Sequence, residues 1–505
     1  MAAPIVIRLH PADNVVVARM DILPGTLVDG TTVAAQRIPP GHKILTAAVA
    51  KGAPIRKYNQ IIGFATDDLP PGTHVHTHNC VMGDFERDHA FCVDARPTDF
   101  VPDHLRATFE GYRRADGRAA TRNYIGIVTT VNCSAATSRM IAAKLQPLLA
   151  EFPNIDGVVP LTHGGGCGMA ASGLEMDVLR RTLAGYTRHA NMAAVVVLGL
   201  GCETNQVAGL MNAAGLKEGP KLIPMTIQEE GGVAKTVGRA VSFVREILPE
   251  ANAVKRESIP AAELILALQC GGSDGYSGIS ANPALGAAVD LLVRNGGSAV
   301  LSETPEIYGA EHLLTRRAVN RAVGEKIVER IRWWEDHCAR TGGEMNNNPS
   351  PGNKAGGLTT ILEKSLGAVA KGGTTNLVDV YEYAEPITAR GFVYMDSPGY
   401  DPVSATGQVA GGANVLCFTT GRGSVFGCKP APSIKLATNS ALYRHMTDDM
   451  DINCGTIVDG DETIQQAGQR IFDLVLSTAS GAPTKSEALG IGDDEFEPWK
   501  IGATM

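Results

Sequence analysis

Apolar residues in this chain gather in short runs, and most of the runs stop at a glycine-rich turn. In residues 1–95 the runs are brief. IVIRL and NVVVARM are broken by Asp13-Asn14, and turns follow at Pro24-Gly25, Pro39-Pro40-Gly41, Gly52 and Pro71-Gly72. Turns at such intervals predict a small β-rich unit. Residues 96–108 are polar, hold two prolines and read as a linker. From 109 to 248 strands alternate with helical stretches: strands at 124–131, 157–161, 193–200 and 221–224, helices at 134–149, 172–189, 206–214 and 232–248. Such a βα repeat implies a parallel sheet covered by helices. Residues 249–260 read as a second linker. The pattern resumes over 261–505, with strands at 264–268, 298–301, 391–395, 414–418 and 433–437 and helices at 283–294, 311–339, from 359, and 462–476. A Gly/Asn/Pro-rich loop at 342–357 is long enough to suggest a functional role. The expected fold class is α/β: a β-rich N-terminal domain followed by two βα domains.

Composition narrows the function. A chain of 505 residues is too long for one ordinary core. With 44% hydrophobic and 19% charged residues, it fits a globular enzyme rather than a disordered chain. A net charge of −8 argues against general nucleic-acid binding, and an acidic substrate would need locally placed Arg or Lys. No apolar run is long enough to span a membrane. The start, MAAPIVIRLHPADNV, lacks the pattern of a signal peptide. Ten cysteines without paired spacing point to a reducing cytoplasm, where thiols are buried, ligating or catalytic.

The candidate chemistry lies at the strand ends. The run ELILALQ stops in Cys270, two glycines, Ser273 and Asp274. Glycines let a backbone turn or approach a ligand closely, and ligands of open α/β sheets sit at the carboxyl ends of strands. Other strands end in Cys133, in His163 and Cys167, in Cys202 and Glu203, and in Glu303. Cysteine at four strand ends suits either reactive thiols or the ligation of iron, as one ion or as an iron–sulfur cluster. The four are far apart in sequence and form no CxxC. In THVHTHN, strand alternation puts His74, His76 and His78 on one face, a group suited to metal binding or proton transfer. Lys354, Arg422 and Lys435 lie in or beside Gly/Ser/Asn-rich turns, where a carboxylate or phosphate would be held. Cys417, Cys428 and Cys454 read as structural.

In order, GTHVHTHN, GYRRADGRAATRN, THGGGCG, GLGCETNQ, QCGGSDGYSGISANPALG, SETPEIYGAE, NPSPGNKAGGLTTILEKSLG, TTGRGS and PSIKLATNS cover almost the whole chain. This series resembles the altronate dehydratase/galactarate dehydratase family of sugar-acid hydro-lyases, with the altronate branch the better match. The resemblance implies an N-terminal SAF (β-clip) domain, two Rossmann-like βα domains and dehydration of a hexonate or hexarate to a 2-keto-3-deoxy acid. It also implies a divalent metal: iron(II), with manganese or another divalent ion as alternatives. Relatives acting on sulfolactate, with the SAF unit as a separate subunit, look similar too. THGGGCG departs from the family, where an aromatic is expected. On this basis His76, His78, His163, Cys270 and Asp274 are expected in catalysis. Arg122, Asn123, Ser273, Lys354, Arg422 and Lys435 are expected to bind substrate. His74, His76, Cys133, Cys167, Cys202, Cys270 and Glu303 are the expected metal ligands, with histidine and cysteine shells as alternatives. A homodimer is expected, with no nucleic-acid or membrane partner. A non-catalytic sugar-acid-binding protein is the alternative of another class.

Overall fold

A computed structural model describes residues 4–502 except 84 and 86. The N-terminal part is β-rich, as its turn spacing predicts. One antiparallel sheet runs in the order Val6–Ile7, Val15–Ala18, Lys43–Leu45, His74–Val75, and a second joins Pro54–Lys57, Gln60–Ala65 and Cys80–Val81. The rest is α/β. Strands β1 (Tyr124–Thr129), β2 (Gly157–Leu161), β3 (Met192–Gly199) and β4 (Leu222–Thr226) form a parallel sheet ordered β2-β1-β3-β4.

A larger parallel sheet follows. Its strands are β5 (Ile265–Cys270), β6 (Ser298–Leu301), β7 (Leu377–Tyr381), β8 (Phe392–Met395), β9 (Val415–Thr420), β10 (Ser433–Ala437) and β11 (Ile452–Asn453). They are ordered β7-β8-β6-β5-β9-β10-β11. The central strands are almost wholly buried because helices cover both faces. From β5 the chain builds the sheet outward in one direction through β6, then returns to the other side of β5 with β9. The crevice at the carboxyl ends of β5 and β9 is therefore a topological switch point, the usual place for a ligand in such sheets.

Several elements differ from the sequence expectation. Residues 249–260 are not a free linker: a helix runs Val233–Ala253, and Glu257–Pro260 pairs antiparallel with Thr108–Arg113. The helix expected over 311–339 is two, His312–Thr315 and Arg321–Thr341. The break forms because Val319 N–H bonds to the Leu377 carbonyl and the Asn320 side chain caps the second helix at Val323 N–H. Strand β7 was not expected, because Asp379 interrupts its short apolar run. The helix Asp401–Ala410 was likewise unexpected. The histidine strand is only His74–Val75; beyond it the Asn79 side chain accepts from His76 N–H and donates to the His74 carbonyl, closing a turn.

The β-rich part is not loosely tethered. Val15, Leu45, Ile55, Ile62 and Val75 share one apolar core with Leu266, Leu285, Ile361 and Leu366 of the C-terminal part. Among the described residues, no helix is long and apolar enough to cross a membrane.

Candidate active site

The turn after β5 and the turn after β9 meet at the switch point. Gly421 and Arg422 both donate backbone N–H to the Gly272 carbonyl. Buried Asp274 accepts from Ser277 and Thr438 hydroxyls, the Asn439 amide and Tyr276 N–H. Burial raises its carboxyl above the ordinary carboxylate value, and these donors offset only part of that. With that many partners, Asp274 ties the two turns together rather than facing substrate. Over it lies the loop Ser350–Gly357. The Asn353 side chain donates to the Ser273 carbonyl, and Gly275 N–H bonds to the Gly356 carbonyl. Gly275 and Gly357 both pack on the Gly41 carbonyl, where any side chain would collide. Arg422 is exposed beside Gly356, and Lys354 is half-exposed on the same loop. Among the described residues, neither side chain has a hydrogen-bond or ion-pair partner, which suits both to hold an anion.

The β-rich part closes this crevice with histidines. His42, His74 and His76 each offer a ring nitrogen, all within 4.8 Å of one another. His42 Nδ1 lies 2.9 Å from His74 Nε2, and His42 Nε2 lies 3.3 Å from the Ala355 carbonyl. That second bond requires the proton on Nε2 and turns the Nδ1 lone pair toward the other rings, the usual orientation of a ligating imidazole. Burial, then the neighbouring rings, lowers His74 to about 3. Burial, then His42 and Lys43, lowers His76 to about 4. Both are therefore neutral at pH 7 and able to ligate. Among the described residues, buried His76 Nδ1 has no hydrogen-bond partner. His78, exposed, places its ring 5.6 Å from that of His74.

Three buried charges lock the histidine-bearing part in place. Lys43 donates to Glu363 Oε2 at 2.8 Å and to the Gly357 carbonyl at 2.5 Å; Lys57 donates to Glu363 Oε1 at 2.9 Å. Burial alone would raise the Glu363 carboxyl, but the two lysines overcome it and hold it far below the usual range. Glu363 stands on α1 (Ile361–Val369), every residue of which is buried. The next residue, Lys364, reaches the opposite way to Glu306 (2.7 Å) and Asn348 (2.8 Å).

Glu306 belongs to a second buried group at the ends of β5 and β6. Lys371 lies 2.9 Å from Cys270 Sγ and 3.4 Å from Glu303, and Cys270 donates to Glu306 at 3.5 Å. Burial, opposed by Lys371, pushes Cys270 up to about 12, so it is a neutral thiol. Burial and the Glu306 charge raise Glu303, while Lys364 holds Glu306 ionised. Burial and Glu306 likewise raise Asp401 to about 7. Cys270, Glu303 and Glu306 form the second group able to hold a cation, but two lysines already fill that role.

The structure separates other expected residues from this site. Cys133, Cys167 and Cys202 follow strands of the four-stranded parallel sheet, and Cys270 ends a strand of the seven-stranded one. His163 is buried with both nitrogens engaged, Nε2 on the Thr129 carbonyl and Nδ1 accepting from Gly165 N–H. Arg122 binds Glu487 and the Thr478 and Ala482 carbonyls, joining two domains. Asn123 bonds the Asn154 and Ala251 carbonyls, and Lys435 bonds the Phe426 carbonyl and Ser486. These donors already have structural partners. Sequence reading missed His42, Lys43, Lys57, Glu306, Glu363, Lys364 and Lys371. A signal was present: ILEKSLGAVAKGG sets three charges into an otherwise apolar helical run, and PPGHK sets a histidine and a lysine beside a tight turn.

Family models agree with this layout. An altronate/galactarate dehydratase SAF domain matches residues 4–83. The second domain of D-galactarate dehydratase/altronate hydrolase matches 111–252, and the C-terminal D-galactarate/altronate dehydratase domain matches 261–504. The chain is 37% identical over 484 residues to galactarate dehydratase (L-threo-forming) of Escherichia coli strain K12, covering 94% of this chain and 92% of that one. It is 34% identical over 504 residues to altronate dehydratase of Bacillus subtilis strain 168, covering 99% of both. It is 33% identical over 386 residues to the beta subunit of a (2R)-sulfolactate sulfo-lyase from Chromohalobacter salexigens, covering 76% of this chain and 95% of that one.

Proposed function

Because the chain belongs to the D-galactarate/altronate dehydratase family, and is thereby a sugar-acid dehydratase, we propose that it converts D-altronate to a 2-keto-3-deoxy acid with iron(II) as its metal. The altronate assignment is supported by end-to-end similarity to an altronate dehydratase. The observation that carries the site assignment is the convergence of His42, His74 and His76 over the switch point. These residues fit a divalent ion: three neutral imidazoles converge, and the buried His76 Nδ1 lacks a partner among the described residues. A bound divalent ion supplies Lewis-acid polarisation of the substrate's carboxylate and adjacent hydroxyl.

The chain's own residues supply the rest. Dehydration removes the C2 proton, stabilises the enediolate and expels the C3 hydroxyl as water; the enol product then tautomerises to the keto acid. Arg422 and Lys354 hold the carboxylate, the Arg by a two-pronged contact. His78, the exposed imidazole of the group, moves the proton, a task suited to imidazole. Asp274, Asn353 and the Lys364–Glu306–Asn348 network position these groups.

A second reading places the metal at Cys270, Glu303 and Glu306. Glu303 favours it, with a left-handed backbone (φ 74°) and a buried Oε1 lacking a partner among the described residues. Strain of that kind clusters at functional sites. One experiment separates the two: anaerobic incubation with iron(II) and either D-altronate or galactarate, with detection of the 2-keto-3-deoxy product and assay of bound iron. His76→Ala is expected to lose both activity and iron, while Glu303→Gln retains iron. The opposite pattern moves the metal to the second group, and full activity of His76→Ala refutes the assignment.

This reading also includes a homodimer in a reducing cytoplasm. All ten cysteines are free thiols, and Met20, Leu23, Leu27 and Val33 leave an exposed apolar surface on the SAF domain. Light scattering in solution checks the dimer.

A further inference from the structure

We propose that Cys133, Cys167 and Cys202 hold an iron–sulfur cluster on the second domain, a site separate from the dehydration chemistry above. The three thiols follow β1, β2 and β3, neighbouring strands of one parallel sheet aligned by the pairs Val128↔Leu161 and Thr129↔Leu198. They are the three exposed cysteines of the chain; the other seven are buried or half-buried. Cysteine normally behaves as a buried apolar residue, so three exposed ones at one sheet edge need an explanation other than packing.

The loops carrying them are built together. Asn132 N–H bonds to the Gly165 carbonyl at 3.1 Å, and Asn205 N–H to the Gly166 carbonyl at 3.0 Å. The Asn205 side chain reaches the Thr130 carbonyl at 3.2 Å. Gly166 has φ +95° and lies against the Thr130 carbonyl, so only glycine lets the Cys167 loop close on the Cys133 loop.

Harder donors nearby are turned away. Both His163 nitrogens are engaged, and Glu203 is buried against the Thr130 hydroxyl and the Leu200 and Gly201 amides. What faces outward is thiol, the ligand type that selects iron–sulfur clusters and soft ions. Among the described residues, the three sulfurs do not form a group within 4.8 Å of one another, as the imidazoles do. A single tetrahedral ion, with metal–sulfur bonds of about 2.3 Å, needs that closeness. A cluster spreads its thiolates over several irons. Three thiolates leave one iron of a four-iron cluster without a cysteine ligand.

The test uses the full chain, purified anaerobically and reconstituted with sulfide and equal amounts of ferrous and ferric iron, which together supply the mixed-valence state of the cluster. The expected product is brown, with broad visible absorption and roughly four irons and four sulfides per chain. Cys133→Ser, Cys167→Ser and Cys202→Ser each lose the colour and most of the sulfide, while Cys338→Ser keeps both. In the reconstituted wild type, thiol alkylation mapped by mass spectrometry spares these three cysteines and labels them once the cluster is stripped, a result independent of any variant's folding. Colourless protein, colour that survives in the three variants, iron bound without sulfide, or equal alkylation in both states each overturns the proposal. Because the readouts are colour, metal content and labelling, failure here is distinguishable from failure of the histidine-site assignment, which is read by His76→Ala.

Discussion

His163 and His189 share a local design. Each ring donates from Nε2 to a carbonyl, of Thr129 or Ala413, and accepts at Nδ1 from a backbone N–H, of Gly165 or Asn191. Protonating Nδ1 would set two donors against each other. Burial lowers both to about 4, below the unfolded value of about 6.5. Between those values the unfolded chain binds more protons, so stability is complete above pH 6.5 and is lost as pH falls toward 4. Each imidazole accounts for on the order of 3 kcal/mol across that window. Urea unfolding midpoints should therefore drop between pH 7 and pH 5, and His189→Asn should flatten part of the drop. A midpoint indifferent to pH over that range would remove this account. The same geometry gives both nitrogens of His163, expected in catalysis from its place at a strand end, a backbone partner.

At the level of elements, α1 (Ile361–Val369) is the joint between the domains. One of its residues, Glu363, faces Lys43 and Lys57 of the SAF domain, and the next, Lys364, faces Glu306 at the end of β6. Removing one member of a buried ionic group costs about 3–5 kcal/mol, because the remaining charges lose their partner. Glu363→Gln keeps the shape and should lower stability by that amount in chemical denaturation. The folded Glu363 carboxyl is depressed, so its contribution is present above the ordinary carboxylate range and lost as pH falls through and below it. The acid-unfolding curve of Glu363→Gln should therefore be flatter than wild type in that region. Unchanged stability would mean that the two lysines are satisfied without Glu363.

For the whole molecule, the SAF domain contributes both the three histidines of the proposed metal site and part of the core. Val15, Leu45, Ile55 and Val75 pack with Leu266 and Leu285, and His42, His74 and His76 close on the Ser350–Gly357 loop. One relative is named as the beta subunit of a lyase, and the similarity spans 76% of this chain. Two co-expressed pieces, 1–95 and 96–505, are expected to copurify as a stoichiometric complex and recover dehydratase activity. The isolated 96–505 piece should be inactive and should bind less iron. An active 96–505 piece would show that the histidines are dispensable.

Much of this was legible from one chain. Period and turn chemistry separate a β-rich start from two βα domains, because those signals are local and repeat along the sequence. The strand-end motifs locate the QCGGSDG and TTGRGS turns, because ligand-binding turns need glycine where the backbone bends. Long motifs in fixed order identify the family. Three-dimensional packing decided the rest. Cys270 sits with Lys371 and Glu303, while three other cysteines stay together on a different sheet. His42 joins His74 and His76 from 32 residues away, a partnership no spacing rule encodes. Burial, which sequence does not display residue by residue, turned Asp274, Arg122 and His163 from expected chemistry into structure, since a buried polar group must find partners inside the fold.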